Sequence, residues 1–178
     1  MNIRGVDEKM NEEEGTVEKN FVEVNMSDMK TARAPDLLVT RGLGSCLGIT
    51  LYDPIKKIGA IAHHMLSDIE RSKNKSNPAR FVNSVINKML EELKKEGCLK
   101  KNLVAKLFGG AHMFSFISQD SILNVGEKNI EMAKSVFQQH GIKIAAEELR
   151  GSIGRTIVLD LQTGKVRVKT ISAGEKEV

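Results

Sequence analysis

The chain has 178 residues, 40% of them hydrophobic and 28% charged, with a formal net charge of +4. That length fits one domain with a well-buried core better than two. No apolar run nears the roughly 18 residues of a membrane-spanning helix, no basic run interleaved with aromatics points to nucleic acid, and the charged N-terminus lacks a secretory apolar stretch.

Residues 1–16 are polar, with Glu12, Glu13 and Glu14 in a row, and read as a flexible, solvated acidic tail. Residues 17–25 carry Val17, Phe21, Val22 and Val24 and suit a strand, whereas 26–34 are polar and ambiguous. Pro35-Asp36 marks the entry to a strand over 37–40. It runs into Thr40-Arg41-Gly42-Leu43-Gly44-Ser45-Cys46, a tight glycine turn, and a second apolar run follows over 47–52. Asp53-Pro54 is a turn signal, and residues 57–65 complete a predicted hairpin with His63 and His64 at its far end. Strand alternation puts these two histidines on opposite faces, so at most one points toward Cys46.

Residues 67–77 read as a loop, with Asn77 capping a helix that Pro78 opens. Over 79–96 the apolar residues Phe81, Val82, Val85, Ile86, Met89, Leu90 and Leu93 recur at helical spacing, and Gly97 stops the run. A strand over 103–108 leads into a second glycine turn, Gly109-Gly110-Ala111-His112, placed to approach the first, with Phe114 and Phe116 just beyond. A second helix is expected over 124–140, then strands over 142–149, 155–161 and 166–171, with a third glycine turn at Gly151-Ser152-Ile153-Gly154. Residues 173–178 read as a frayed tail, leaving 17–172 as one domain. This order argues for an α/β fold of the α+β type, in which two main helices cover layered mixed or antiparallel sheets.

Cys46 leaves its turn among backbone N–H groups, where a reactive thiol is favoured. Its competing reading is a buried structural cysteine; for Cys98, with no histidine close in sequence, the structural reading wins. With only these two cysteines a disulfide framework is not expected, and the cytoplasm is the expected compartment. If His63 meets Cys46, the imidazole raises the thiolate fraction and returns the proton to a leaving group. Thr40, at the strand end, is a candidate to fix the imidazole tautomer through its hydroxyl or its carbonyl. The Cys46 N–H and a turn neighbour would then form an oxyanion hole worth about 3 kcal/mol per donor. This equipment suits acyl transfer from an amide or ester through a thioester. Two other readings use the same residues: a zinc site built from Cys46 and two of His63, His64 and His112, and a non-catalytic binding module.

The glycine-turn block 40–46, the Asp53-Pro54 turn, Gly59-Ala60-Ile61-Ala62-His63-His64-Met65-Leu66, Lys106-Leu107-Phe108-Gly109-Gly110-Ala111, Asn124-Val125-Gly126-Glu127-Lys128-Asn129 and Gly151-Ser152-Ile153-Gly154-Arg155 together resemble, in order, the blocks of the CheD family of chemoreceptor glutamine deamidases. The resemblance implies a layered α/β fold shared with toxin-type cysteine deamidases. It implies Cys46 as nucleophile, His63 as acid and base, and Thr40 as the group orienting His63, with no metal or organic cofactor. Gly44, Ser45, Gly109, Gly110 and Phe114 are the expected substrate-binding positions. The implied substrates are glutamines on the helical cytoplasmic domains of methyl-accepting chemotaxis receptors. The implied partner is a CheC-type phosphatase, which links the enzyme to phosphorylated CheY.

Overall fold

The computed structural model describes residues 18–112 and 125–178. In chain order the elements are β1 (Phe21–Glu23), β2 (Asp28–Arg33), β3 (Leu37–Leu43), β4 (Leu47–Asp53), β5 (Ile58–His64), α1 (Val82–Lys95), β6 (Val104–Gly109), α2 (Val125–His140), β7 (Lys143–Leu149), β8 (Arg155–Asp160), β9 (Val166–Thr170) and β10 (Gly174–Glu177). The strands form two five-stranded sheets, ordered β1-β3-β8-β9-β10 and β2-β5-β4-β6-β7. Both are mixed: β1 and β3 pair parallel, as do β6 and β7, and the other pairs are antiparallel.

Side-chain alternation sorts the molecule into three layers. In β4 and β5, Leu47, Ile49, Leu51, Ala60 and Ala62 join one buried cluster with Val85, Ile86 and Met89 of α1 and Ile130, Ala133 and Phe137 of α2. The opposite face of the same sheet supplies Tyr52, Ile61 and Phe108, which pack against Leu38, Ile157, Leu159 and Val168 of the other sheet. The second sheet is therefore covered on both faces, by helices and by strands. That is why β4 and β5 are buried along their whole length. Among the described residues the first sheet has a partner on one face only. Truncating a fully buried residue such as Met89 to Ala would cost about 2–5 kcal/mol in lost transfer energy and cavity formation.

Asn77 caps as expected, accepting from the Ala79 N–H at 3.0 Å. It caps a short 3-10 turn, however, and α1 begins only at Val82. Gly97, at φ +79°, closes α1, with the Cys98 N–H returning to the Leu93 carbonyl at 2.9 Å. Two expectations need correcting. Residues 26–34, polar and ambiguous in sequence, contain β2, an edge strand of the buried sheet that pairs with β5. The expected frayed tail contains β10, which pairs with β9 although all four of its residues are exposed. Both edges are held by main-chain hydrogen bonds, which carry no hydrophobic pattern for a sequence reading to find. Among the described residues no helix is long and apolar enough to cross a membrane.

Candidate active site

The site lies between the two sheets, at one end of both. β4 and β5 pair with Gly48 opposite His63 and Leu47 opposite His64. Cys46 immediately precedes β4 and packs against the cluster between the two sheets, the layer that His63 also faces. Gly48 puts no side chain between them. A Cβ there would lie 2.7 Å from the Leu43 side chain, so this face is packed against the other sheet. From that sheet β3 directs Thr40 inward. Its Oγ1 lies 2.9 Å from His63 Nδ1 and 2.7 Å from the Val24 carbonyl oxygen.

These two contacts fix the imidazole. A hydroxyl has one proton and the carbonyl can only accept, so Thr40 donates to Val24 and must accept from His63. His63 Nδ1 therefore carries a hydrogen, and the free lone pair of the neutral ring is on Nε2. That atom is buried and has no hydrogen-bond partner. Thr40 and His63 are almost wholly buried, whereas Cys46 is partly open to solvent.

Burial pushes the Cys46 thiol pKa up, and a hydrogen bond from its own N–H offsets part of this. Burial pushes the His63 pKa down. Both shifts favour the neutral forms, thiol and imidazole.

The second glycine turn braces the first. The Gly110 N–H donates to the Cys46 carbonyl at 2.9 Å and the Ala111 N–H to the Gly44 carbonyl at 2.8 Å. A Cβ on Gly109 would stand 2.3 Å from the Cys46 carbonyl oxygen, and its φ of +106° independently favours glycine there. Gly109 and Gly110 thus lie against the backbone of Cys46. Gly44 is buried, and Ser45 is exposed beside the thiol. Phe114, like Phe116, lies outside the described residues.

The third turn completes the brace. The Arg150 N–H donates to Gly109 and the His112 N–H to Gly151, each at 2.8 Å. Arg155, buried and directly across from Leu43, holds this turn by donating to the carbonyls of Glu148 and Arg150. Sequence reasoning quoted Arg155 within a motif without giving it this role. Its signal was an arginine heading a strand whose alternate residues are apolar, which puts it on the buried face.

His64 and Cys98 belong elsewhere. His64 is on the helix side of β5, fully buried, with neither ring nitrogen partnered and a pKa lowered to about 3. The zinc reading loses that donor, and among the described residues no group of three His, Cys, Asp or Glu side chains is placed to hold a metal. Cys98 packs in the helix-side core, its pKa raised to about 11 by burial and then by Asp53.

Fold and site together define an α+β protein with a cysteine, a histidine and a threonine gathered at the rim of two stacked sheets. The family described as CheD chemotactic sensory transduction matches residues 65–170. A "Probable chemoreceptor glutamine deamidase CheD" of Desulforamulus reducens is 42% identical over 157 residues, 88% of this chain and 95% of the relative. Another protein of that name, from Syntrophomonas wolfei, is 43% identical over 156 residues, 88% of this chain and 97% of the relative. A looser likeness, with a TM-score of 0.41 and 16% identity, covers 68% of this chain and 49% of the Bacillus licheniformis hypothetical protein YfiH. This chain belongs to the CheD family.

Proposed function

We propose that this protein hydrolyses the side-chain amide of glutamines on the cytoplasmic domains of methyl-accepting chemotaxis receptors, giving glutamate and ammonia and so adjusting chemotaxis signalling. The substrate class follows the names of its relatives. The observation that carries the chemistry is the Val24–Thr40–His63 chain, which leaves Nε2 as the one uncommitted imidazole nitrogen on the face shared with Cys46.

In the proposed reaction His63 Nε2 takes the Cys46 proton while the sulfur bonds to the amide carbon. The tetrahedral oxyanion that forms collapses when the imidazolium gives its proton to the amide nitrogen. Ammonia leaves, and a thioester remains. Water then attacks the thioester carbon with its proton passing to Nε2. The carbon–sulfur bond breaks, the thiol regains a proton, and the glutamate carboxylate departs. A half-exposed sulfur at a rim suits a side chain offered by a large partner, for which a deep pocket is unnecessary. The cytoplasm is the proposed compartment. A CheC-type phosphatase is the proposed regulator on the family resemblance, tested by whether the two proteins co-migrate in gel filtration.

Mass spectrometry of a receptor cytoplasmic fragment incubated with the protein tests the reading. Each converted glutamine gains about one mass unit, and about three in ¹⁸O-water because water resolves the thioester. A receptor whose glutamines all keep their mass would overturn it.

A further inference from the structure

On that reading, the polypeptide around the reacting glutamine must also be held. We propose that a groove on the open face of the first sheet binds an acidic, amphipathic stretch of the receptor flanking the glutamine. The groove has a volume of about 510 Å³ and lies between the end of β3, the turn before β8 and the end of β9. Its exposed cations are Arg41 and Lys169, Arg155 being buried with its guanidinium on the Glu148 and Arg150 carbonyls, and its lips are Ile153, 40% exposed, and Ile171, fully exposed. Arg41 is paired with Glu23 at 3.1 Å, but both side chains are more than half exposed, so the pair costs little to exchange for a partner's carboxylate.

Three observations select this occupant. The first is charge: two exposed cations, Arg41 and Lys169, on a largely apolar trough match a segment with carboxylates along one edge and aliphatic residues along the other. The cavity beside Cys98, between α1 and α2, is lined by both Glu91 and Lys94 and has no such bias. The second is continuity with the thiol. Gly42 forms part of the groove and stands four residues before Cys46, and a Cβ on Gly154 would lie 3.9 Å from the Leu43 carbonyl oxygen. Four residues span at most about 14 Å, which a helix covers in about nine residues. The acidic residues should therefore fall within about nine positions of the glutamine. The third is topology: helices cover the second sheet alone, so a long partner can cross the open face of the first without displacing any described element.

The test measures binding and turnover separately, using a chemoreceptor cytoplasmic fragment. Binding is measured in the Cys46→Ala background, and Lys169→Glu and Ile171→Asp should each weaken it by about tenfold. Raising the salt should weaken the Lys169 parent more than the Lys169→Glu variant, because screening acts on the attraction that the variant has lost. In the Cys46 enzyme the same changes should raise KM with little change in kcat, whereas Leu99→Glu in the cavity beside Cys98 should move neither. Unchanged affinity in both groove variants overturns the inference even if the enzyme deamidates normally. Groove-dependent binding without any deamidation sustains the inference and defeats the catalytic reading. A concentration-dependent dimer that Ile171→Asp dissolves would assign the groove to a second copy of the chain instead.

Discussion

His63 and His64 are joined by one peptide bond and both are buried, yet their rings lie in different layers. His63 faces the other sheet, where Thr40 accepts a hydrogen bond from Nδ1 and leaves Nε2 uncommitted. His64 faces the helices, where neither nitrogen has a partner and burial, helped by His63, holds the ring neutral down to about pH 3. A ring becomes useful for proton transfer when one nitrogen is pinned and the other is left open beside a reacting group. Burial alone supplies neither condition. Strand alternation, which turns neighbours through 180°, decides which of two adjacent histidines meets them.

The harshest way to break this comparison is to remove each group in turn and assay receptor deamidation by mass. Cys46→Ala should abolish product. His63→Ala should lower kcat by about 10²–10⁴, the range of a positioned acid–base group. His64→Leu, apolar and set among apolar neighbours, should stay within a few-fold of the parent. Equal losses in the two histidine variants, with circular dichroism unchanged, would show that the layer a ring occupies does not set its role.

Removing the pin sharpens the contrast further. Thr40→Val keeps the volume and deletes the hydroxyl, which should lower kcat by about 10–100-fold, in the range found for groups that orient a functional histidine. KM should stay close to the parent value because nothing that touches the substrate has changed, and Thr40→Ser should restore most of the rate. The pH profile checks the same point. The His63 pKa is lowered from 6.5 and the Cys46 pKa raised from 9.0, so the parent's kcat/KM should hold on a plateau reaching below pH 6.5 and above pH 9. Rate falls at the acid end as Nε2 becomes protonated, and at the alkaline end as the thiol ionises and no proton is left for the departing ammonia. An acid limb above pH 6.5 or an alkaline limb below pH 9 would mean that burial does not push the two groups in these directions. An unaltered kcat in Thr40→Val would remove the pin from the mechanism.

The hairpin was legible because its parts are local. Asp53 turns the chain by accepting from the Ile55 and Lys56 N–H groups, and apolar runs on either side fix the strands. The glycine turns were legible as places of close approach, and Gly109 against the Cys46 carbonyl bears this out. The Val24 carbonyl, which decides the imidazole tautomer, left no trace because every residue has a carbonyl. Nor did sequence reveal that Cys46 and His63 are both pushed toward neutrality, since burial arises when β3, β4, β5 and β8 come together. The edge strands β2 and β10 escaped for a related reason: pairing along an edge is a main-chain event, β2 offers only Met29 and Ala32 to the cores, and all of Gly174–Glu177 is exposed.

The smallest effect tests His64 through stability. Its pKa is near 3 in the folded protein and near 6.5 once unfolded, so between those values the unfolded chain binds the extra proton. The stabilising contribution is complete above pH 6.5 and is lost as the pH falls toward 3, by about 1.4 kcal/mol per pH unit at most. His63 and the carboxylates titrate in both parent and variant, so subtracting His64→Leu from the parent isolates this one ring. Urea unfolding at pH 7 and pH 5 should show the parent losing about 1–2 kcal/mol more than the variant over that interval, one proton's worth of slope. Parallel losses would mean that His64 takes up its proton without leaving the folded state, through a water or a shifted side chain. It would then share with His63 the capacity to titrate, and what sets His63 apart would reduce to its nearness to the thiol.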